Sequence, residues 1–490
     1  MTTSFRRRAP LLALACLMPA LASASTACDR LLRQFGNALA DATCVDSADL
    51  TTTNPDTTPA NNSIAGLPAF AFTPQTDRAT ISPSAAKRAP ITRVVPGLQL
   101  NGRIASDPTG QARFLLRLPQ DWNGRLVVAG ASGTRSEFNG DFSWSDYVVQ
   151  KGYAYASQNK GVLNFQLSTA ADPQGCRLNP ASTTYVNFYD DGANQSFARW
   201  AEFMVKAGRL ARQGVIANYG RQPRFVYAVG TSNGGYQVRR AIESAPDVFD
   251  GGVDWEGTFV DEHAPTLLTD LPAGILNYAD YAAAGFDPNG TAAKNLRAAG
   301  YPPDLVAGPT SSLWTSYWGA FWEVTQCQWQ KRLDPTYDTY GSEPGTYNYV
   351  ARLSASDVGA QVESFATTGR IQRPLVTVAG TMDALLPIDH HARAYARRVA
   401  AAQSGDGPRH DERTAPYRLY EVQNGNHIET YQDTFPQLAL IEPQAHTAFD
   451  LLVAHVETHA ALPASQCVPK GGTIAPSPAW PGHCAALYAP

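Results

Sequence analysis

The pentapeptide Gly230-Thr231-Ser232-Asn233-Gly234 constrains this chain more than any other stretch. An apolar run, Phe225-Val226-Tyr227-Ala228-Val229, leads into it, and Tyr236 to Glu243 follows with helical character. Strand, sharp turn and helix in that order leave little choice of backbone. The serine at the apex takes a strained φ/ψ, and the flanking glycines are needed because a Cβ there would strike the neighbouring strand or helix. The strain lifts the Ser232 hydroxyl clear of the sheet. A bare Gly-x-Ser-x-Gly also arises by chance as a solvated turn in a chain with 39 glycines, so its flanks are what make this one specific.

The N-terminus reads as a secretory signal over residues 1–24: Arg6, Arg7 and Arg8, a short apolar run from Ala9 to Leu21, then Ala22-Ser23-Ala24 as the cleavage site. Its removal leaves 36 basic against 43 acidic side chains, a net charge of −7, so nucleic acid is not an expected partner. No later segment approaches ~20 uninterrupted apolar residues, and stable membrane insertion is not expected either. The mature chain keeps Cys28, Cys44, Cys176, Cys327, Cys467 and Cys484. Six cysteines in an oxidising compartment suggest three disulfides, and proximity favours Cys28 with Cys44 and Cys467 with Cys484, leaving Cys176 for Cys327. No Cys-x-x-Cys occurs, and neither a metal nor a cofactor is expected.

About 466 mature residues exceed what one compact core supports, so an enlarged core with an insertion is expected. Residues 25–93 read as an N-terminal surface extension, with a helix from Asp29 to Ala40 and a Thr/Asn/Pro-rich stretch from Thr51 to Ser63. Residues 94–255 carry strands: Gly97 to Ile104 and Ala112 to Leu118 as an antiparallel pair, then Arg125 to Gly130, Gly152 to Ala156 and Phe225 to Val229 as buried runs. An amphipathic helix, Ser196 to Gln213, lies between the last two. Residues 256–365 break this rhythm and form a helical, aromatic-rich lid containing Trp314, Tyr317, Trp318, Phe321, Trp322 and Trp329. Strand and helix alternate again over 366–465, and 466–490 is a disulfide-pinned tail. This alternation implies a mostly parallel sheet with helices on both faces and reactive loops at the strands' C-terminal ends.

A serine hydroxyl is a poor nucleophile near neutral pH and needs an imidazole to take its proton and a carboxylate to hold that imidazole. Asp383 follows the strand ending at Gly380, and His427 follows the strand ending at Val422 within Asn424-Gly425-Asn426-His427. The order nucleophile, acid, histidine fits a serine hydrolase of this architecture. Asp254, at another strand end with Glu256 close by, is the rival acid. His390, His391, His446, His455 and His459 have packing or surface roles by default, and His263 in the lid is a lesser candidate for touching substrate. The oxyanion of a tetrahedral intermediate needs two backbone N–H donors, for which Asn233 and a residue of Ala131-Ser132-Gly133-Thr134, taken as Ser132, are the candidates. An aromatic stripe packs a core as readily as it lines a cleft; Trp255, Trp314 and Trp318 are the expected substrate contacts.

With these residues in place, the chain resembles the α/β-hydrolase fold over about 94–255 and 366–465. Within it, Ala129-Gly130-Ala131-Ser132-Gly133-Thr134-Arg135, Lys151 to Gly161, and Ser232-Asn233-Gly234-Gly235 resemble secreted 3-hydroxybutyrate oligomer hydrolases. The resemblance implies cleavage of hydroxyacid esters by Ser232, Asp383 and His427. The tannase and feruloyl esterase group is more distant: its disulfide joins the residues before the nucleophile and after the histidine, where this chain has Thr231 and Ile428. That departure also argues against carrying over its lid calcium site, and Asp287-Pro288-Asn289-Gly290 reads as a turn. The expectation is thus a secreted serine esterase with an ester substrate, oligomeric or polymeric. Peptidase or amidase action, and a non-catalytic binding protein on this scaffold, are the alternatives. Oligomeric state is left open.

Overall fold

Short runs of small and β-branched residues, such as Arg125-Leu126-Val127-Val128-Ala129-Gly130 and Leu375-Val376-Thr377-Val378-Ala379-Gly380, are buried almost throughout. That pattern suits strands covered on both faces. The computed structural model describes residues 21–54, 82–133, 136–162, 165–166, 185–186, 196–263, 266–337, 347–404 and 415–490. Ten strands form its main sheet: β1 (Leu39–Ser47), β2 (Gly97–Ile104), β3 (Arg113–Pro119), β4 (Arg125–Gly130), β5 (Ala154–Gln158), β6 (Phe225–Thr231), β7 (Gly251–Trp255), β8 (Leu375–Gly380), β9 (Tyr417–Val422) and β10 (Gln466–Val468). Their spatial order is β1-β2-β3-β5-β4-β6-β7-β8-β9-β10. The first three pairings are antiparallel and all the others parallel. From β2 to β9 this is the strand order of an α/β-hydrolase, with one strand added at each end.

The longer helices are α1 (Leu21–Phe35), α2 (Ala198–Tyr219), α3 (Asn233–Ser244), α4 (Leu267–Ala283), α5 (Glu323–Leu333), α6 (Ala392–Ser404) and α7 (Glu442–Thr458). Leu31 and Phe35 of α1, Met204 and Leu210 of α2, Val238 and Ile242 of α3, and Tyr395 of α6 share one apolar cluster against one sheet face. Phe449 and Leu452 of α7 join Trp144, Val148 and Trp255 on the other. Among the described residues no helix is long and apolar enough to cross a membrane.

The N-terminal region is more deeply built in than a surface extension. β1 pairs with β2, Phe35 lies 6.3 Å from Phe114, and the Cys28–Cys44 disulfide ties α1 to β1. The alternation that would have marked this strand is broken by a register shift between Ala40 and Thr43, with Asp41 at φ 52°. Cys467–Cys484 is formed as well. Cys327 is disulfide-bonded, while Cys176 lies outside the described residues, as do most of the signal segment and the Thr51 to Ser63 stretch.

Between β7 and β8 the chain leaves the sheet. Tyr278, Tyr281, Trp314, Tyr317, Trp322 and Trp329 form a third cluster, which also takes in Met382, Leu385, Leu386 and Ile428 from loops beyond β8 and β9. An aromatic cap therefore packs directly on the loops that carry Asp383 and His427.

Candidate active site

Ser232 sits at φ 61° and ψ −124°, between the end of β6 and the first turn of α3. A non-glycine residue held there stores backbone strain, which the close packing around it maintains. Added Cβ atoms at Gly230 and Gly234 would fall 2.5 Å from backbone atoms of Gly234 and Gly130 respectively. The glycines thus let the elbow lie against β4. The Ser232 amide donates to Trp255 O at 2.9 Å, so the elbow is also pinned to β7.

β6, β8 and β9 run parallel, so Ser232, Asp383 and His427 emerge at the same edge of the sheet. His427 Nδ1 lies 2.8 Å from Asp383 Oδ2, and Asp383 Oδ1 accepts the amides of Leu385 and Leu386 at 2.8 and 2.7 Å. With one carboxylate oxygen on two amides and the other on Nδ1, the imidazole is oriented, and Nε2 is the ring nitrogen left outside this bond. All three residues are buried.

Asp254, the rival acid, has other work. Its carboxylate accepts from Arg239 Nε at 2.6 Å, Thr377 Oγ1 at 2.8 Å and Gly257 N at 2.7 Å, all in the interior. Glu256 does reach the histidine: its Oε2 is 3.5 Å from His427 Nδ1, and its Oε1 accepts the Gly380 amide at 3.0 Å. Glu256, Asp383 and His427 offer atoms within 4.8 Å of one another, a spacing that can hold a cation. The Nδ1–Oδ2 bond and the amides on both carboxyls make them an oriented imidazole rather than a ligand set.

Asn233 begins α3, where first-turn N–H groups have no intrahelical acceptor, and its side chain is held by Thr258 Oγ1 at 2.8 Å. Ser132 does not match its expected part. Its amide already donates to Asn139 Oδ1 at 3.0 Å and its hydroxyl to Thr231 O at 3.0 Å, so it braces the elbow from the β4 side instead of offering an oxyanion donor. Lys160 holds the same loop, with Nζ 2.6 Å from Ser132 O and 4.7 Å from the Trp200 ring.

Trp255 and Trp314 do not take the expected place as substrate contacts. Trp255 is 1% exposed and packs edge-on against Trp144; Trp314 is 0% exposed against Tyr281. Both are core residues with no face toward a substrate. Trp318 is half-buried, stacked on Tyr278 at 4.5 Å, with its indole N–H on Glu323.

Other contacts at this edge had no signal in the residue pattern. Tyr317 donates to Asn426 Oδ1 at 2.8 Å, Asn426 Nδ2 donates to Met382 O at 2.9 Å, and Trp322 Nε1 donates to Ala384 O at 2.8 Å. Asn424 Nδ2 donates to Ala489 O and the Thr381 hydroxyl to Leu487 O, so the C-terminal tail clamps both loops. The Asn-Gly-Asn loop is therefore a packed structural element in its own right. His390 and His391 share the buried Asp270 of α4, and His446 is stacked on Tyr147 at 3.7 Å, its pKa lowered to about 4 by burial. His263 is largely exposed beside Glu262.

Residues 339–485 match the family model of the 3HB-oligomer hydrolases. This segment includes Asp383 and His427. The chain is 30% identical over 131 residues to a D-(-)-3-hydroxybutyrate oligomer hydrolase of Burkholderia thailandensis, covering 25% of this chain and 17% of that protein. The corresponding protein of Burkholderia ambifaria is 32% identical over 130 residues, covering 25% and 18%. The aligned segment thus spans less than a fifth of the curated relatives it matches. Among solved structures, feruloyl esterase B from Aspergillus oryzae aligns over 89% of this chain and 91% of its own, with 14% identity and a TM-score of 0.46.

Proposed function

We propose that this protein is a secreted serine esterase that hydrolyses carboxylic esters, with hydroxyalkanoate oligomers as the substrate class. The observation that carries the reading is the Asp383-held imidazole of His427 at the sheet edge where Ser232 stands on its strained turn. The matched family segment supports the substrate class, and the disulfides suit an oxidising compartment.

In this scheme His427 Nε2 takes the Ser232 proton as Oγ attacks the ester carbonyl. The oxyanion that forms accepts from the Asn233 amide, positioned by the start of α3. Collapse of the tetrahedral intermediate expels the alcohol, which receives the proton from His427, and Ser232 is left acylated. Water then loses a proton to the same nitrogen, attacks the acyl carbonyl and releases the acid, returning the proton to Ser232. Asp383 keeps the ring oriented throughout and stabilises the imidazolium.

The test is a hydrolysis panel of 3-hydroxybutyrate oligomers, galloyl and feruloyl esters, and matched p-nitrophenyl esters and anilides, with Ser232→Ala alongside. The expected outcome is turnover of the oligomers, negligible anilide cleavage and loss of activity in the variant. Full activity in Ser232→Ala would sink the mechanism, and a preference for anilides would make the protein an amidase.

A further inference from the structure

Glu256 lies at the same edge and has no part in the scheme above. It is a buried non-glycine residue at φ 51°, and its Oε2 makes no hydrogen bond of normal geometry, although the Trp255 side chain favours its charged form. Left-handed backbone and an unpaired buried oxygen are each unfavourable, and together at one residue they call for a use. The left-handed turn directly after β7 brings the side chain back toward β8 and the histidine. There Oε1 meets the Gly380 amide at 3.0 Å and Oε2 stands 3.5 Å from His427 Nδ1.

Building on the esterase reading, we propose that Glu256 is a second positioning carboxyl for His427, closing the side of Nδ1 beside Asp383 and replacing Asp383 as counter-ion when that carboxylate is removed. The charged and titratable groups around it are Asp383 and His427 on their two loops, Glu429 just beyond His427, and the Tyr317 phenol of the cap. Burial, and after it the Asp383 charge, push the Glu256 carboxyl well above the usual range. Removing the Asp383 charge takes away the second of these causes and leaves burial, which an imidazolium beside Oε2 opposes. Oε2 needs less than about an ångström of side-chain movement to accept the Nδ1 proton.

This makes two substitutions at one position behave differently. Asp383→Ala leaves Glu256 to become the counter-ion. Asp383→Asn keeps its oxygen on the Leu385 and Leu386 amides and turns its NH2 toward Nδ1, forcing the proton onto Nε2, where it blocks the general base.

The experiment measures kcat/KM for p-nitrophenyl butyrate from pH 5 to 10 in Asp383→Ala, Asp383→Asn, Asp383→Ala/Glu256→Gln and Ser232→Ala, with folding followed by thermal unfolding. Asp383→Ala is expected to exceed Asp383→Asn by on the order of tenfold, and the added Glu256→Gln to abolish that surplus. The acid limb of Asp383→Ala is expected at higher pH than that of the double variant, because a carboxylate beside an imidazole favours the imidazolium. Equal rates and superimposable profiles would overturn the role of Glu256 while an inactive Ser232→Ala still upheld the esterase. An active Ser232→Ala would instead bring down the esterase reading and this one with it. Should Asp383→Ala fail to fold, Glu256→Gln in the otherwise native chain decides: the native enzyme gains a further rise in kcat as Glu256 ionises and the variant lacks it, whereas identical alkaline limbs overturn the proposal.

Discussion

β7 and β8 lie side by side and each delivers an aspartate to the end of the sheet, yet the two carboxylates have opposite fates. Asp254 is within β7 and is neutralised from below by Arg239, whose guanidinium lies 4.3 Å over the Tyr395 ring. Asp383 is three residues beyond β8, held by two loop amides, with its remaining oxygen on His427. Both are strand-end acids and both are buried, so neither position nor burial assigns the role. The partner does, because a buried carboxylate answers to whichever donor comes within hydrogen-bond reach.

Substitution at each site separates a chemical from a structural carboxylate. Asp383→Asn should lower kcat by about 10⁴-fold while leaving the protein folded, because the imidazole adopts the wrong tautomer. Asp254→Asn should lower stability by about 3–5 kcal/mol in thermal or denaturant unfolding, because it strands a buried guanidinium, with near-native turnover in the molecules that remain folded. If Asp254→Asn instead abolished turnover without loss of stability, the contrast would be reversed.

A smaller effect tests how the cap serves one end and not the other. Tyr317→Phe removes the bond to Asn426, which braces the histidine loop against the acid loop. It should cost about 1 kcal/mol of stability and a few-fold in kcat. An unchanged kcat would mean that the cap leaves the histidine's orientation untouched. The smallest effect is at His390, where the hydrogen bond to Asp270 raises the imidazole pKa. Stability from a raised histidine is fully present below its unfolded value of about 6.5 and is lost as pH rises through the folded value. The native protein should therefore lose stability on moving up from about pH 6.5, a decline that His390→Gln lacks when unfolding is followed against pH.

Much of the sheet was legible because strands buried on both faces read as uninterrupted apolar runs, as in Arg125 to Gly130 and Leu375 to Gly380. β1 was not, since a bulge at Asp41 and two outward aspartates hide its alternation. The Asp383–His427 pairing was legible through order and spacing beyond strands. Ser132 misled because a loop's sequence does not reveal which amides its own side chains consume, and Asn139, seven residues on, takes this one. Trp255 and Trp314 misled for a related reason: aromatic content marks large apolar surface without saying which way it faces.

Local chemistry, readable residue by residue, determined the strained serine turn, the glycines around it and the alternation of strand and helix, because steric exclusion and burial periodicity act over a few neighbours. Only the tertiary structure decided that Arg239 would claim Asp254, that Glu256 would turn back toward His427, and that the aromatic cap and C-terminal tail would grip the acid and histidine loops. Those choices depend on polar contacts of about 3 to 3.5 Å between residues far apart in the chain, and such distances exist only once the sheet has brought its strand ends together.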